Sequence, residues 1–212
     1  MPDIMDITGF ILKGSIISIK LFLIVIVFSI PLGMICALGK MSKIKILRSV
    51  LGLYTWAFRG TPLLLQLFFI YFGLPVLNIK LDPLVAACIA FIINYTAYLA
   101  ELFRSGINSV DIGQYEAAKA LGMNYPQIMK RIIIPQAVPV ILPSLCNESI
   151  NLIKDTSLVA SIGIGDLLRA AKEIVTSDFT VYPFIIAGVM YLIISSILVF
   201  IFKRLEARFS LA

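Results

Sequence analysis

The sequence has no histidine, only three cysteines and only 14% charged residues. Histidine is the commonest general base and proton relay near neutral pH, so its absence removes the simplest route to acid–base chemistry. No serine or cysteine stands in a nucleophile setting such as G-x-S-x-G. The phosphate-cradling pattern G-x-x-x-x-G-K-[ST] is missing too: the nearest glycine pair, Gly163 and Gly165, lacks a third glycine and a strand before it. The chain is therefore expected neither to be an enzyme nor to hydrolyse ATP by itself. Cys36, Cys88 and Cys146 lie singly in apolar runs, without metal or redox spacing, and read as small packing residues; no metal site is expected. No internal repeat is visible, which counts against a chain built from two inverted halves.

What is present is apolar: 60% of the residues are hydrophobic and the mean hydropathy is +1.00. That composition belongs to integral membrane proteins. A spanning helix takes about 20 apolar residues, and about five runs approach this: 15–38, 51–72, 84–103, 139–153 and 181–202. In 212 residues there is then room for short loops and one longer polar segment, but not for a separate soluble domain, so 1–212 is read as a single transmembrane domain. Lys40, Lys43, Lys45 and Arg48 follow the first run, Arg104, Lys119, Lys130 and Arg131 the third, and Lys203, Arg204 and Arg208 the fifth. With five spans, all three groups share the cytoplasmic face. The N-terminus then lies outside, as Asp3 and Asp6 allow, and the C-terminus is cytoplasmic. The expected fold is thus all-α and integral to the membrane. The net charge of +6 follows from this topology, and the basic residues are not interleaved with stacking aromatics, so no nucleic-acid partner is expected. The first run is too long for a signal peptide and has no positive region before it, so it is expected to be retained. Lys20, early in that run, is expected to snorkel outward.

Between the third and fourth spans, residues 113–135 are too polar to cross a bilayer and too patterned for a passive linker. Good helix formers start at Glu116, Gly122 ends the run, and Tyr125 with Pro126 begins a second, with proline in a first-turn position. Two short helices are expected. Ala117, Ala118 and Gly122 leave the first nearly bare on one side, so another protein can approach its backbone. From general physics alone, an amphipathic interfacial loop remains the alternative.

This segment resembles the coupling motif of ABC importer permeases, E-A-A, three residues, G, nine residues, I-x-L-P. Here the residues are Glu116, Ala117, Ala118, Gly122, Ile132, Ile134 and Pro135, with Ile134 replacing the usual leucine. Further stretches are similar to the permeases of the polar amino-acid (His/Glu/Gln/Arg-type) uptake family. They are Arg59-Gly60-Thr61-Pro62-Leu63, the run 66–75, Tyr98-Leu99-Ala100-Glu101 with Arg104-Ser105-Gly106, Pro135-Gln136-Ala137, and Lys154-Asp155-Thr156-Ser157-Leu158. The resemblance implies a five-span type I importer subunit in a prokaryotic plasma membrane. It would pair with a second permease, either an identical copy or a close paralogue. Its coupling residues Glu116, Ala117, Ala118, Gly122 and Pro135 would dock on two copies of an ATP-binding-cassette ATPase. An extracytoplasmic amino-acid-binding protein would deliver substrate. ATP and Mg would bind the partner ATPase, with no cofactor in this chain.

Polar residues inside spans are costly and are candidate site residues. Asn94, Tyr98, Glu101 and Ser105 recur at steps of four, three and four, and Glu148, Asn151 and Asp155 at steps of three and four, so each set occupies one helical face. The two stripes are expected to face one cavity. The alternative is mutual satisfaction at helix interfaces, with Glu101 paired to Arg104 and Asp155 to Lys154; Glu148 has no basic neighbour in sequence. Gly60 and Pro62 interrupt the second span, so a broken helix is expected there, with Thr61 as cap and Pro62 as first residue of the half-helix that follows. The positive end of such a half-helix attracts a carboxylate. The amino acid's α-carboxylate is therefore expected near Thr61 and Leu63, with its cationic end at Glu148 and Asp155. Asn94, Tyr98, Glu101, Asn151 and Ser157 complete the candidate site. This arrangement favours a basic amino acid such as arginine, lysine or histidine. Arg59 is left between attracting the carboxylate, pairing with Glu101 and reaching cytoplasmic water. Residues 157–177 read as an external helical element. The competing functions are a gradient-driven secondary transporter and a non-transporting membrane scaffold.

Overall fold

The computed structural model describes residues 4–209, and among them there are helices and turns but no strand. The first helix, α1 (Ile4–Lys40), has 37 residues. At a rise of about 1.5 Å per residue it is far longer than the roughly 30 Å hydrocarbon core. It begins well before the expected start at residue 15 because its outer turns have partners. Ile7 and Ile11 are buried with Leu167, Ala170, Ala171 and Ala187 in an outer apolar cluster.

The second span is split into α2 (Lys45–Gly60) and α3 (Leu63–Phe68), and α3 runs on through a π turn, Phe69–Gly73, and a 3-10 turn, Leu74–Leu77. The two halves are bent by 103°. Helix α4 (Pro83–Asn108) has a visible start signal: Pro83 is its first residue, and the Asp82 carboxylate accepts the Leu84 N–H at 2.9 Å. The short α5 (Ile112–Ala120) and α6 (Tyr125–Ile128) follow, and a π turn, Met129–Ile133, leads into α7 (Ile134–Asp155). From Tyr125 to Ile162 the chain is one unbroken 38-residue span, despite Pro139 and Pro143 inside it. The expected limits of 139–153 were drawn too narrowly, because a proline inside a packed membrane helix need not end it. A 3-10 turn, Thr156–Ile162, then leads to α8 (Leu167–Asp178) and α9 (Tyr182–Phe209).

Four helices are long and apolar enough to cross a membrane, and the bent pair brings the number to five. Packing fixes their direction. Ala37 near the end of α1 and Ile107 near the end of α4 share an apolar cluster with Ala118 of α5 and Ile128 of α6. The basic residues Lys40, Lys119, Lys130 and Arg131 fall at this same cytoplasmic end. Along the way α1 and α4 lie parallel and very close, because small residues line the contact. A Cβ on Gly33 would stand 2.8 Å from the Leu99 Cβ, and Ser29 and Ala37, one turn to either side, are fully buried.

Candidate substrate cleft at the helix break

The break in the second span begins with Pro62. A residue before proline is driven out of the helical region, and Thr61 is extended at φ −119°, ψ 145°. Inside a membrane the backbone groups so freed need protein partners. The acceptor side is closed by two buried amides. The Gln66 Nε2 donates to the carbonyls of Phe58 (2.9 Å) and Thr61 (3.1 Å). Asn94 Nδ2 donates to the Phe58 carbonyl and to Gln66 Oε1, both at 3.0 Å. The donor side stays open. Gln66 is the first residue to bond back, to the Pro62 carbonyl, so the N–H groups of Leu63, Leu64 and Leu65 have no acceptor within the helix. One expectation is corrected here. Pro62, not Thr61, is the cap residue, it makes no capping bond, and Leu63 is the first helical residue. The Thr61 hydroxyl instead donates to the Ala57 carbonyl at 2.9 Å and accepts from Gln66.

Beside this break lies a cleft of about 760 Å³ whose lining includes Thr61, Leu63, Asn94, Tyr98, Glu148, Asn151 and Asp155, together with Arg59 and Lys154. The upper half of the α4 stripe, Asn94 and Tyr98, thus meets the α7 stripe around one space, whereas Glu101 and Ser105 line a second cavity. Their members are not equally available. The Asn94 amide is held by the break. Asp155 accepts the Tyr95 hydroxyl at 2.7 Å and makes no ion pair with Lys154 among the described residues. Glu148 is half-buried and, among the described residues, has neither a hydrogen bond nor an ion pair. The Arg59 guanidinium lies over the Tyr98 ring, 5.4 Å from its centre, and the Tyr98 hydroxyl donates to the Arg59 carbonyl at 3.3 Å.

Two candidates lie outside the cleft. The Glu101 carboxylate is held by Lys40 of α1, by Arg104 at 2.9 Å and by the Thr55 hydroxyl at 3.0 Å. It joins three helices at the cytoplasmic side and does not pair with Arg59. Ser157 lines a separate outer cavity of about 770 Å³, shared with Arg169 and Lys172 of α8. Two residues of the site were missed from sequence. Gln66 had a signal, as a lone amide in an apolar run; Tyr95 is adjacent to Asn94 and so lies off the stripe that singled Asn94 out.

The cytoplasmic segment forms two short helices, the first starting at Ile112 rather than Glu116 because Asp111 caps it, accepting the Gly113 N–H at 2.8 Å. Gly122 ends it at φ +78°, with Gly122 N–H bonded to the Lys119 carbonyl and Met123 N–H to the Ala118 carbonyl, the left-handed stop that favours glycine. Asn124 and Gln127 then cap α6 reciprocally. Glu116 and Ala117 are exposed, whereas Ala118 faces the inner cluster; Pro135 lies in the first turn of α7. Leu121 projects from the turn with 82% of its surface exposed.

Comparison with known proteins places this architecture among relatives. Residues 29–211 match the family described as the binding-protein-dependent transport system inner membrane component. The putative glutamine transport system permease protein GlnP of Rickettsia conorii is 41% identical over 201 residues, covering 94% of this chain and 92% of that one. The arginine transport system permease protein ArtQ of Bacillus subtilis is 40% identical, with the same 94% and 92% coverage. In the crystal structure of an amino acid ABC transporter with histidines, one chain superposes with a TM-score of 0.89 at 36% identity, over 98% of this chain and 99% of that one.

Proposed function

Because the chain belongs to the family of binding-protein-dependent transport system inner membrane components, we propose that it forms the passage of an ATP-driven importer for amino acids, with a preference for cationic ones. It is a multi-pass membrane component, and ATP is hydrolysed by a separate ATPase subunit. Identity to relatives does not select the substrate, since those named for glutamine and for arginine match equally well, at 41% and 40%. The observation that carries the preference is Glu148. It is the acidic side chain in the cleft left without a partner, whereas Asp155 already accepts from Tyr95. Arg59 faces it but does not close to ion-pair distance, and a half-buried carboxylate left without a direct partner gains from a cation that reaches it.

In this reading the substrate's α-carboxylate lies at the open N–H groups of Leu63 and Leu64, where the half-helix dipole favours an anion, and its cationic group reaches Glu148. The energy arrives from outside the cleft. An ATPase pair, holding ATP and Mg, closes; α5 and α6 move with it; and the spans reopen toward an external binding protein. A second permease, identical or paralogous, completes the passage.

The test uses the whole assembly in vesicles, with binding protein and ATPase. A charge-assisted hydrogen bond contributes about 1.5–3 kcal/mol, so Glu148→Gln is expected to slow ATP-driven uptake of arginine and lysine about tenfold or more, and that of glutamine much less. An equal loss for arginine and glutamine would assign Glu148 to the α-ammonium common to both and overturn the cationic preference. An unchanged rate for all three would remove Glu148 from the site.

A further inference from the structure

Below the cleft lies a second cavity, of about 420 Å³, lined by Glu101, Arg104 and Ser105 of α4 and by Ser144 of α7. Helix α4 descends toward the cytoplasm from Tyr98 to Ser105, and α7 rises from Ser144 to Glu148 and Asn151, so this cavity is the inner of the two. Among the described residues, the two linings share only Arg59, Tyr98 and Glu148.

We propose that Arg59 stacked on Tyr98 is the partition between an outer cleft and an inner vestibule, and that substrate crosses by drawing Arg59 off the ring. The pair has the properties of a movable divider. Its contact is a cation over an aromatic face, reinforced by one hydroxyl-to-carbonyl bond at 3.3 Å, and neither element is locked by an ion pair. The cations on the inner side of the pair are fixed: Lys40 and Arg104 are both held by Glu101. Arg59 faces Glu148 without closing to ion-pair distance, so its guanidinium is free to choose between ring and carboxylate. It lies in the last turn of α2, immediately before the break, and lines the same cleft as Leu63 and Leu64 at the open start of α3. An α-carboxylate arriving there offers the guanidinium a bidentate, charge-assisted bond that is stronger than stacking on a ring. The incoming substrate thereby removes the divider that stands below it.

What crosses rests on the importer reading above; the existence of a divider does not, and labelling separates the two. In the full assembly, with Cys36, Cys88 and Cys146 replaced by alanine, single cysteines are introduced as Asn151→Cys in the outer cleft and Ser144→Cys in the inner cavity. Each is treated with a membrane-impermeant thiol reagent from either face. With Arg59 and Tyr98 intact, Asn151→Cys is expected to react from outside and Ser144→Cys from the cytoplasmic side. Adding Tyr98→Ala is expected to raise external labelling of Ser144→Cys tenfold or more, whereas Tyr98→Phe, which keeps the ring, preserves the separation. Arg59→Met, which removes the cation and leaves the ring, is expected to breach it as well and serves if Tyr98→Ala does not assemble. Reaction of both cysteines from one face before any change at the pair, or unaltered labelling of Ser144→Cys after it, would overturn the proposal. Neither outcome depends on which substrate is carried.

Discussion

At the scale of single residues, polar groups in and below the cleft find partners that are distant in sequence. Glu101 shows this best. Sequence offered Arg104, three residues on, as its partner, and that bond is present. The deeper partner is Lys40, sixty-one residues earlier, whose side chain is 11% exposed against 39% for Arg104. Breaking a buried pair costs about 3–5 kcal/mol because it strands a charge, whereas an exposed pair is worth about 1 kcal/mol or less. Lys40→Met is therefore expected to lower the unfolding free energy of the detergent-solubilised protein by on the order of 3 kcal/mol, and Arg104→Met by under about 1 kcal/mol. Equal effects in a denaturant titration would mean that the buried partner does not dominate. Asn94 is a parallel case. Its position on the α4 stripe was legible, but its use was not, because the carbonyl it satisfies belongs to Phe58 on another helix and is freed only by the break.

At the scale of elements, local signals were the most readable. Gly122 as a stop and Tyr125 with Pro126 as a start act within one turn, and the structure uses both there; Asp82 with Pro83 and Asn124 with Gln127 act in the same way but were not singled out from sequence. Helix lengths were less readable, because α1 and the Tyr125–Ile162 span extend beyond their most apolar stretches wherever a neighbouring helix covers them. The α1–α4 contact illustrates how such neighbours bind. Small residues let the backbones approach until a Cβ at Gly33 would lie 2.8 Å from Leu99 Cβ, a contact that neither backbone can give way to cheaply. Gly33→Ala is expected to cost about 1–3 kcal/mol by overpacking, read as a lower thermal midpoint of the purified protein, with Gly33→Leu worse. Gly122 differs, since a Cβ there meets nothing and only the φ of +78° resists it. An L-residue in that region costs about 1–2 kcal/mol, confined to the turn. Gly122→Trp is then expected to leave the membrane fold intact while reducing co-purification of the ATPase, and undiminished co-purification would make the segment a passive loop.

At the scale of the whole molecule, burial is uneven in a way that composition does not record. The most apolar window of α4 is 56% buried and that of α9 only 11%, so α4 is the axis of the bundle and α9 its outer wall. Mean hydropathy, 1.7 for α4 and 2.7 for α9, identifies both as membrane helices but does not say which helix face meets lipid and which meets another subunit. Energy input follows the same geometry. Accumulating an amino acid tenfold requires about 1.4 kcal/mol from some source. In the proposed reading its entry point is the cytoplasmic face, where Ile112 is 69% and Leu121 82% exposed on either end of α5, an apolar surface suited to burial in a partner. Two measurements follow from that arrangement. Leu121→Glu is expected to abolish ATP-driven uptake and ATPase association together, while the chain still inserts and purifies. The chain reconstituted alone is expected to show no concentrative uptake under a proton or sodium gradient, and to regain it when ATPase and binding protein are added with ATP. Accumulation by the chain alone would place the energy source in an ion gradient and make it a secondary transporter, for which the exposed edge of α5 would then need another explanation.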